Sequence, residues 1–149
     1  MSLTYSELLT QLAAEIGVEP ASLLTQQVLR VGKMDIFLAP GDAWQAPEVV
    51  LCSLLGMPTP QRRAEVLRML MQANHRWMGT GGGILGLVPA GNAISWSLRV
   101  PARDLDGARL GAAIADYAAL GQAWMDYLAA EPDAPARAAA PAPNAEMWA

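Results

Sequence analysis

The residues able to hold a phosphate or move a proton gather in one stretch, QANHRWMGTGGGILGLVPAGN, from Gln72 to Asn92. It contains the chain's single histidine, His75, and its densest run of glycines. Gly81, Gly83 and Gly86 satisfy the G-x-G-x-x-G spacing with which a dinucleotide-binding loop brings backbone N–H groups up to a pyrophosphate. Such a loop must leave a strand and enter a helix, so that the helix N-terminus faces the anion. Here helical periodicity precedes the glycines and strand periodicity follows them. A phosphate would meet the negative end of a helix dipole. No Gly-Lys-Ser/Thr follows either, so no cofactor is expected. Gly79 reads instead as the stop of the preceding helix, tolerant of left-handed backbone, with the later glycines turning the chain into a strand.

The other reactive groups are isolated. His75 has no H-x-x-x-H, H-E or C-x-x-C neighbour, so metal-ligand spacing is absent. Cys52 sits in an apolar run without a basic neighbour, as a structural thiol does. The carboxylates fall on polar helix faces and in turns. No catalytic and no metal residues are expected, and the chain does not read as an enzyme.

The elements that position these residues are mostly plain. Thr4-x-x-Glu7 is a capping box flanked by Leu3 and Leu8, and Leu8, Leu9, Leu12 and Ile16 recur at helical spacing until Gly17, which predicts a helix over 5–16. Three strands follow in QQVLRVG, MDIFLAP and EVVLCSLLG, with turns at Gly32-Lys33 and Pro40-Gly41. A second helix starts at Thr59-Pro60 and ends near Arg76, with Val66, Leu67, Leu70, Met71 and Asn74 along one stripe. ILGLVP and AISWSLRVP form a hairpin about Ala90-Gly91-Asn92. A last helix starts at Asp104 or Asp106 and runs to about Ala129, with Leu110, Ile114, Tyr117, Gly121, Trp124 and Leu128 buried. The order α-β-β-β-α-β-β-α makes an α+β domain with a twisted antiparallel sheet over residues 1–130. Residues 131–149 read as a Pro/Ala-rich disordered tail, whose apolar Met147-Trp148 pair is a candidate to dock in a groove.

Composition narrows the partners. Of the 149 residues, 53% are hydrophobic and 16% charged, so the chain holds more apolar surface than its own core needs. A net charge of −4 with scattered cations argues against nucleic acid. No apolar run of about 18 residues exists, so no membrane insertion is expected. The N-terminus MSLTYSELL lacks a secretory signal, and a lone cysteine fits a reducing cytoplasm.

The ordered set of Leu70, Asn74, Thr80, Gly81, Gly82, Leu85, Gly86, Leu87, Leu98, Pro101 and Leu105, with Trp124 and Leu128 in the last helix, resembles the class I type III secretion chaperones of the Tir-chaperone type. The first helix, YSELLTQLAAEIGV, is similar to that family's, and the likeness spans about residues 3–129. The tail is not part of the family core. The resemblance implies a homodimer in the bacterial cytoplasm that hydrolyses no ATP. Such a protein binds a non-globular segment near the N-terminus of a secreted effector and keeps it export-competent. The secretion ATPase or sorting apparatus are further candidate partners. On that reading Leu67, Leu70, Met71, Ile84 and Leu87 are expected at the dimer interface. Leu8, Leu12, Val28, Ile36, Leu38 and Val50 are expected to bind the effector. A chaperone-like regulator, a secretion-machine subunit and a small-molecule-binding α+β domain are the alternatives.

Overall fold

The computed structural model describes residues 3–43 and 46–131. Along the chain they form α1 (Tyr5–Ile16), α2 (Pro20–Gln26), β1 (Val28–Val31), β2 (Met34–Ala43), β3 (Ala46–Gly56), α3 (Arg63–Asn74), a 3₁₀ turn (His75–Trp77), β4 (Ile84–Leu87), β5 (Ile94–Pro101) and α4 (Gly107–Ala129). This is the expected α+β order with one helix added. The strands make one sheet in the order β1-β2-β3-β5-β4. The chain divides into two compact units, Met1–Ser53 with Ser97–Ala118, and Leu54–Trp96 with the chain from Ala119 onward. Beyond Glu131, the expected tail lies outside the described residues.

In the first unit, α1 begins on its capping box. The Glu7 N–H donates to Thr4 Oγ1 at 3.3 Å and the Thr4 N–H to Glu7 Oε2 at 2.7 Å. Gly17 ends the helix at φ 72°, where its missing Cβ costs nothing. Leu8, Leu9, Leu12 and Ala13 are its buried stripe. The added helix α2 was not expected from the sequence: it is 7 residues long, starts on Pro20 and has no side-chain cap. Gln27 closes it in left-handed backbone, and Tyr5 donates from its hydroxyl to Gln27 Oε1 at 3.0 Å.

The β1–β2 hairpin turns at Gly32, φ 60°, and pairs Val28 with Phe37 and Arg30 with Asp35. β2 continues into β3, pairing Phe37 with Cys52 and Ala39 with Val50. Partners across an antiparallel pair share a face. Met34, Ile36, Leu38, Val49, Leu51 and Ser53 are buried, so the alternate residues form the outward face. β2 does not stop at Pro40-Gly41, as the sequence had suggested, but runs through to Ala43. Gly41 serves a close approach there, since a Cβ would lie 2.9 Å from Val50 Cγ2.

The α4 stripe is as expected, with Leu110, Ile114, Tyr117, Gly121, Trp124 and Leu128 all buried. Asp106 caps it by accepting from the Arg109 N–H at 2.8 Å. Its first residue, Gly107, donates its N–H to Gln11 Oε1 at 3.1 Å, and a Cβ there would stand 2.5 Å from the Gln11 carbonyl carbon. Backbone cannot yield as a flexible side chain would. Gly107→Ala should therefore lower stability by about 1–3 kcal/mol, the usual cost of overpacking. Chemical denaturation measures it, and an unchanged midpoint would show that α1 moves aside freely.

Candidate functional site

The glycine stretch is what remains after a helix ends. α3 stops at Asn74, and Arg76 and Trp77 then take left-handed backbone at φ 54° and 57°. Gly79 was expected to supply that conformation and does not. Its role is space: its N–H donates to Ala73 O at 3.1 Å, and a Cβ would lie 2.7 Å from Ala73 Cβ. Gly81 and Gly82, at φ 55° and 92°, make the turn toward β4. The loop thus sits at a helix carboxyl end, the wrong pole for phosphate. His75 is exposed beside it. Among the described residues, no group of three or more His, Cys, Asp or Glu could hold a metal. Cys52 is half-buried, and burial raises its thiol pKa, which disfavours the thiolate.

Two apolar surfaces remain, one in each unit. In the second unit the anchor is Arg62, 5% exposed just before α3. Thr59-Pro60 do not open the helix as expected. Arg62 donates instead to the carbonyls of Tyr127 and Ala130, both at 2.8 Å, which fastens the end of α4. Its guanidinium also pairs with Glu65 at 3.0 Å and lies 4.8 Å from the centroid of the Tyr127 ring. The bonds from Arg62 and then from the Tyr127 hydroxyl hold the Glu65 carboxylate below its usual pKa.

At the other end of α3, Asn74 gives its whole amide to one residue. Its Nδ2 donates to Leu85 O at 2.8 Å and its Oδ1 accepts from the Leu85 N–H at 2.9 Å. β4 is thereby pinned with Leu85 buried and Ile84 and Leu87 exposed. Met71 on α3 is 76% exposed, and Trp77 and Met78 follow it. A shallow open groove runs along the helix, lined by Ala64, Leu67, Arg68, Met71, Gln72 and His75. Of the five expected interface residues, Met71, Ile84 and Leu87 stand exposed and Leu67 is half-buried. Leu70 is in the chain's own core.

In the first unit the outward sheet face carries Phe37, 48% exposed, with Val28 opposite it on β1 and Cys52 on β3, and Ala39 opposite Val50. Beside them Arg30 and Asp35 form a two-pronged ion pair, both bonds at 2.7 Å. β1 ends the sheet. Because Gln27 O accepts from the Leu38 N–H, alternate β1 residues face β2, and the backbone groups of Val28 and Arg30 point to the open edge.

Four expected effector contacts need correction. Leu8, Leu12, Ile36 and Leu38 are each 3% exposed or less, so no area is left for a partner. Val28 and Val50 do lie on the outward face. Phe37 was missed, although the period of two signalled it: Phe37 must oppose Ile36 and Leu38, and the sequence offered no means of telling which side faced in.

The Asn74 bonds are open to test. Asn74→Ala would leave a strand N–H and C=O without partners, and about 1–3 kcal/mol of stability should be lost. Amide exchange at Leu85 reads it, and should speed up in the variant.

Residues 7–125 match the model of the Tir chaperone protein (CesT) family. No curated protein matches the chain. Among the solved structures that share its fold are three complexes. The Yersinia pestis type III secretion chaperone SycH, in complex with a stable fragment of YscM2, is 21% identical over 80% of this chain and 98% of that one, with a TM-score of 0.60. The HopA1–SchA chaperone–effector complex is 14% identical over 82% and 93%, at 0.61. The ExsC–ExsE complex is 19% identical over 86% and 97%, at 0.65.

Proposed function

The chain belongs to the Tir chaperone protein (CesT) family, and from that membership we propose that it is a type III secretion chaperone holding a non-globular segment of a secreted effector in the bacterial cytoplasm. Among the described residues no helix is long and apolar enough to cross a membrane. The observation that carries the reading is the outward face of Phe37, Val28 and Val50 beside the open β1 edge. An extended segment can pair with that edge through its backbone and set alternate side chains against the face. SycH and SchA, which share the fold, are described in complex with a stable fragment of YscM2 and with an effector.

We also propose a homodimer through α3 and β4. Met71, Ile84 and Leu87 present apolar area that a second copy would hide. A two-fold seam meets itself, so each substitution acts twice.

The two surfaces can be tested separately because their key residues are exposed. Tagged chain, expressed in its native cell, should capture a secreted protein, and limited proteolysis should map the protected part near that protein's N-terminus. Phe37→Glu should then weaken binding of that segment roughly ten- to a hundredfold, as burying one Phe contributes about 1.5–3 kcal/mol. The melting temperature should hold, and full-strength binding by the variant would remove this face from the site. For the dimer, Leu70→Asp is a poor probe because the side chain is core. Met71→Asp should instead give a folded monomer by sedimentation, and a persisting dimer would place the seam elsewhere.

A further inference from the structure

The outward sheet face of the first unit is bounded by an ion pair at each end. β2 sends Asp35, Phe37, Ala39 and Gly41 to that face in turn, because Met34, Ile36 and Leu38 are buried. At one end Asp35 holds Arg30 through two bonds of 2.7 Å. At the other, Gly41 pairs with Glu48 on β3, whose Oε2 accepts from Arg99 Nη1 at 3.2 Å. Between the two pairs lie Val28, Phe37 and Cys52, then Ala39 and Val50.

The second pair depends on a glycine. A Cβ at Gly41 would stand 3.4 Å from Glu48 Oε2, so the bare backbone leaves room for that carboxylate over β2. Arg99, bonded to the same oxygen, is brought toward the same strand.

Exposure within each pair is lopsided. The Arg30 side chain is 70% exposed against 40% for Asp35, and Arg99 63% against 15% for Glu48. A partner coming down on the face meets guanidinium before carboxylate. Donors are left over as well. Arg30 gives two hydrogen bonds and Arg99 one, from forks that can give more. From Asp35 to Gly41 β2 runs about 20 Å, at roughly 3.4 Å per residue. An extended segment laid along that length meets a cation at each end and apolar side chains between.

We infer that the segment held on this face is apolar at its centre and acidic on both flanks, with Arg30 taking one flanking carboxylate and Arg99 the other. The inference rests on the outward face being the effector site. The chain's net charge of −4 acts against an acidic partner at long range, so a preference for acid reports local contacts.

The test uses the full chain and fluorescein-labelled peptides. All share a centre of alternating Ile and Ser, flanked on both sides by paired Glu, Gln or Lys. Anisotropy titration should rank the probes Glu over Gln over Lys, with roughly three- to tenfold between successive ones, the scale of one or two exposed ion pairs. About 1 M salt should level them, since the screening length falls to about 3 Å. Replacing both cations, Arg30→Gln with Arg99→Gln, leaves Asp35 and Glu48 uncompensated and should invert the order. A merely structural role for the arginines would weaken every probe without inverting them. Phe37→Ala should weaken every probe alike. Flanks that make no difference, while Phe37→Ala still weakens binding, overturn the inference and leave the face as the site. A Glu-flanked probe that does not bind also overturns it. Binding indifferent to Phe37→Ala overturns the reading of the face itself.

Discussion

One side-chain amide decides what the α3–β4 surface can do. Asn74 closes both backbone groups of Leu85, on a strand that ends the sheet. An open strand edge invites another strand, and proteins block such edges when pairing there is unwanted. With Leu85 occupied, strand pairing along this edge is interrupted, and Met71, Ile84 and Leu87 offer exposed side chains beside it. The β1 edge is the opposite case. Val28 and Arg30 leave their backbone groups open beside an exposed Phe37. The sheet thus has one edge strand partly closed by a side chain and one whose outward backbone groups lie beside an exposed aromatic ring. A homotypic partner suits the first, and an extended foreign segment suits the second.

How much of this was legible follows from the range of each interaction. The α1 capping box, the β1–β2 hairpin and the α4 stripe are local, with partners a few residues apart, and each stands where the sequence placed it. The start of α3 was misplaced because Thr59-Pro60 satisfies every local rule for a helix entry. Arg62 overrides it through bonds to residues 65 and 68 positions away. α2 was missed because seven residues sit below the length at which helical periodicity speaks, and only Leu23 on it is buried. Gly79 was read as a φ requirement and is a space requirement, set by Ala73.

The outward face of β2 shows the sharpest limit. A period of two sorts β2 into Met34, Ile36 and Leu38 against Asp35, Phe37 and Ala39, but not which set faces inward. The aliphatic set looked like the better partner surface. It is instead the set the core took, as the buried Val49 and Leu51 on β3 confirm. On α3 the sequence put Met71 on one stripe with Val66 and Leu70, whereas Val66, Leu70 and Ala73 form the buried stripe and leave Met71 outside it. A helix has a polar face to read against, and a strand apolar on both faces has none.

The two surfaces also differ in stiffness, and that bears on what each can recognise. Phe37 stands between Val28 on β1 and Cys52 on β3, with Val50 diagonal to it, and the two valines are restricted at χ1. Such a face presents fixed relief and selects the side chains laid across it. The adjoining Arg30–Asp35 pair is exposed, so solvent screens it and it contributes little stability. Met57, Met71 and Met78 add unbranched, polarisable side chains to the exposed surface of the second unit, beside Ile84 and Leu87. Methionine adapts to different occupants at small cost. A surface of that kind can adapt to whatever apolar occupant covers it. Selectivity on such a surface then has to come from charge, and Arg68 is the group in the groove placed to supply it.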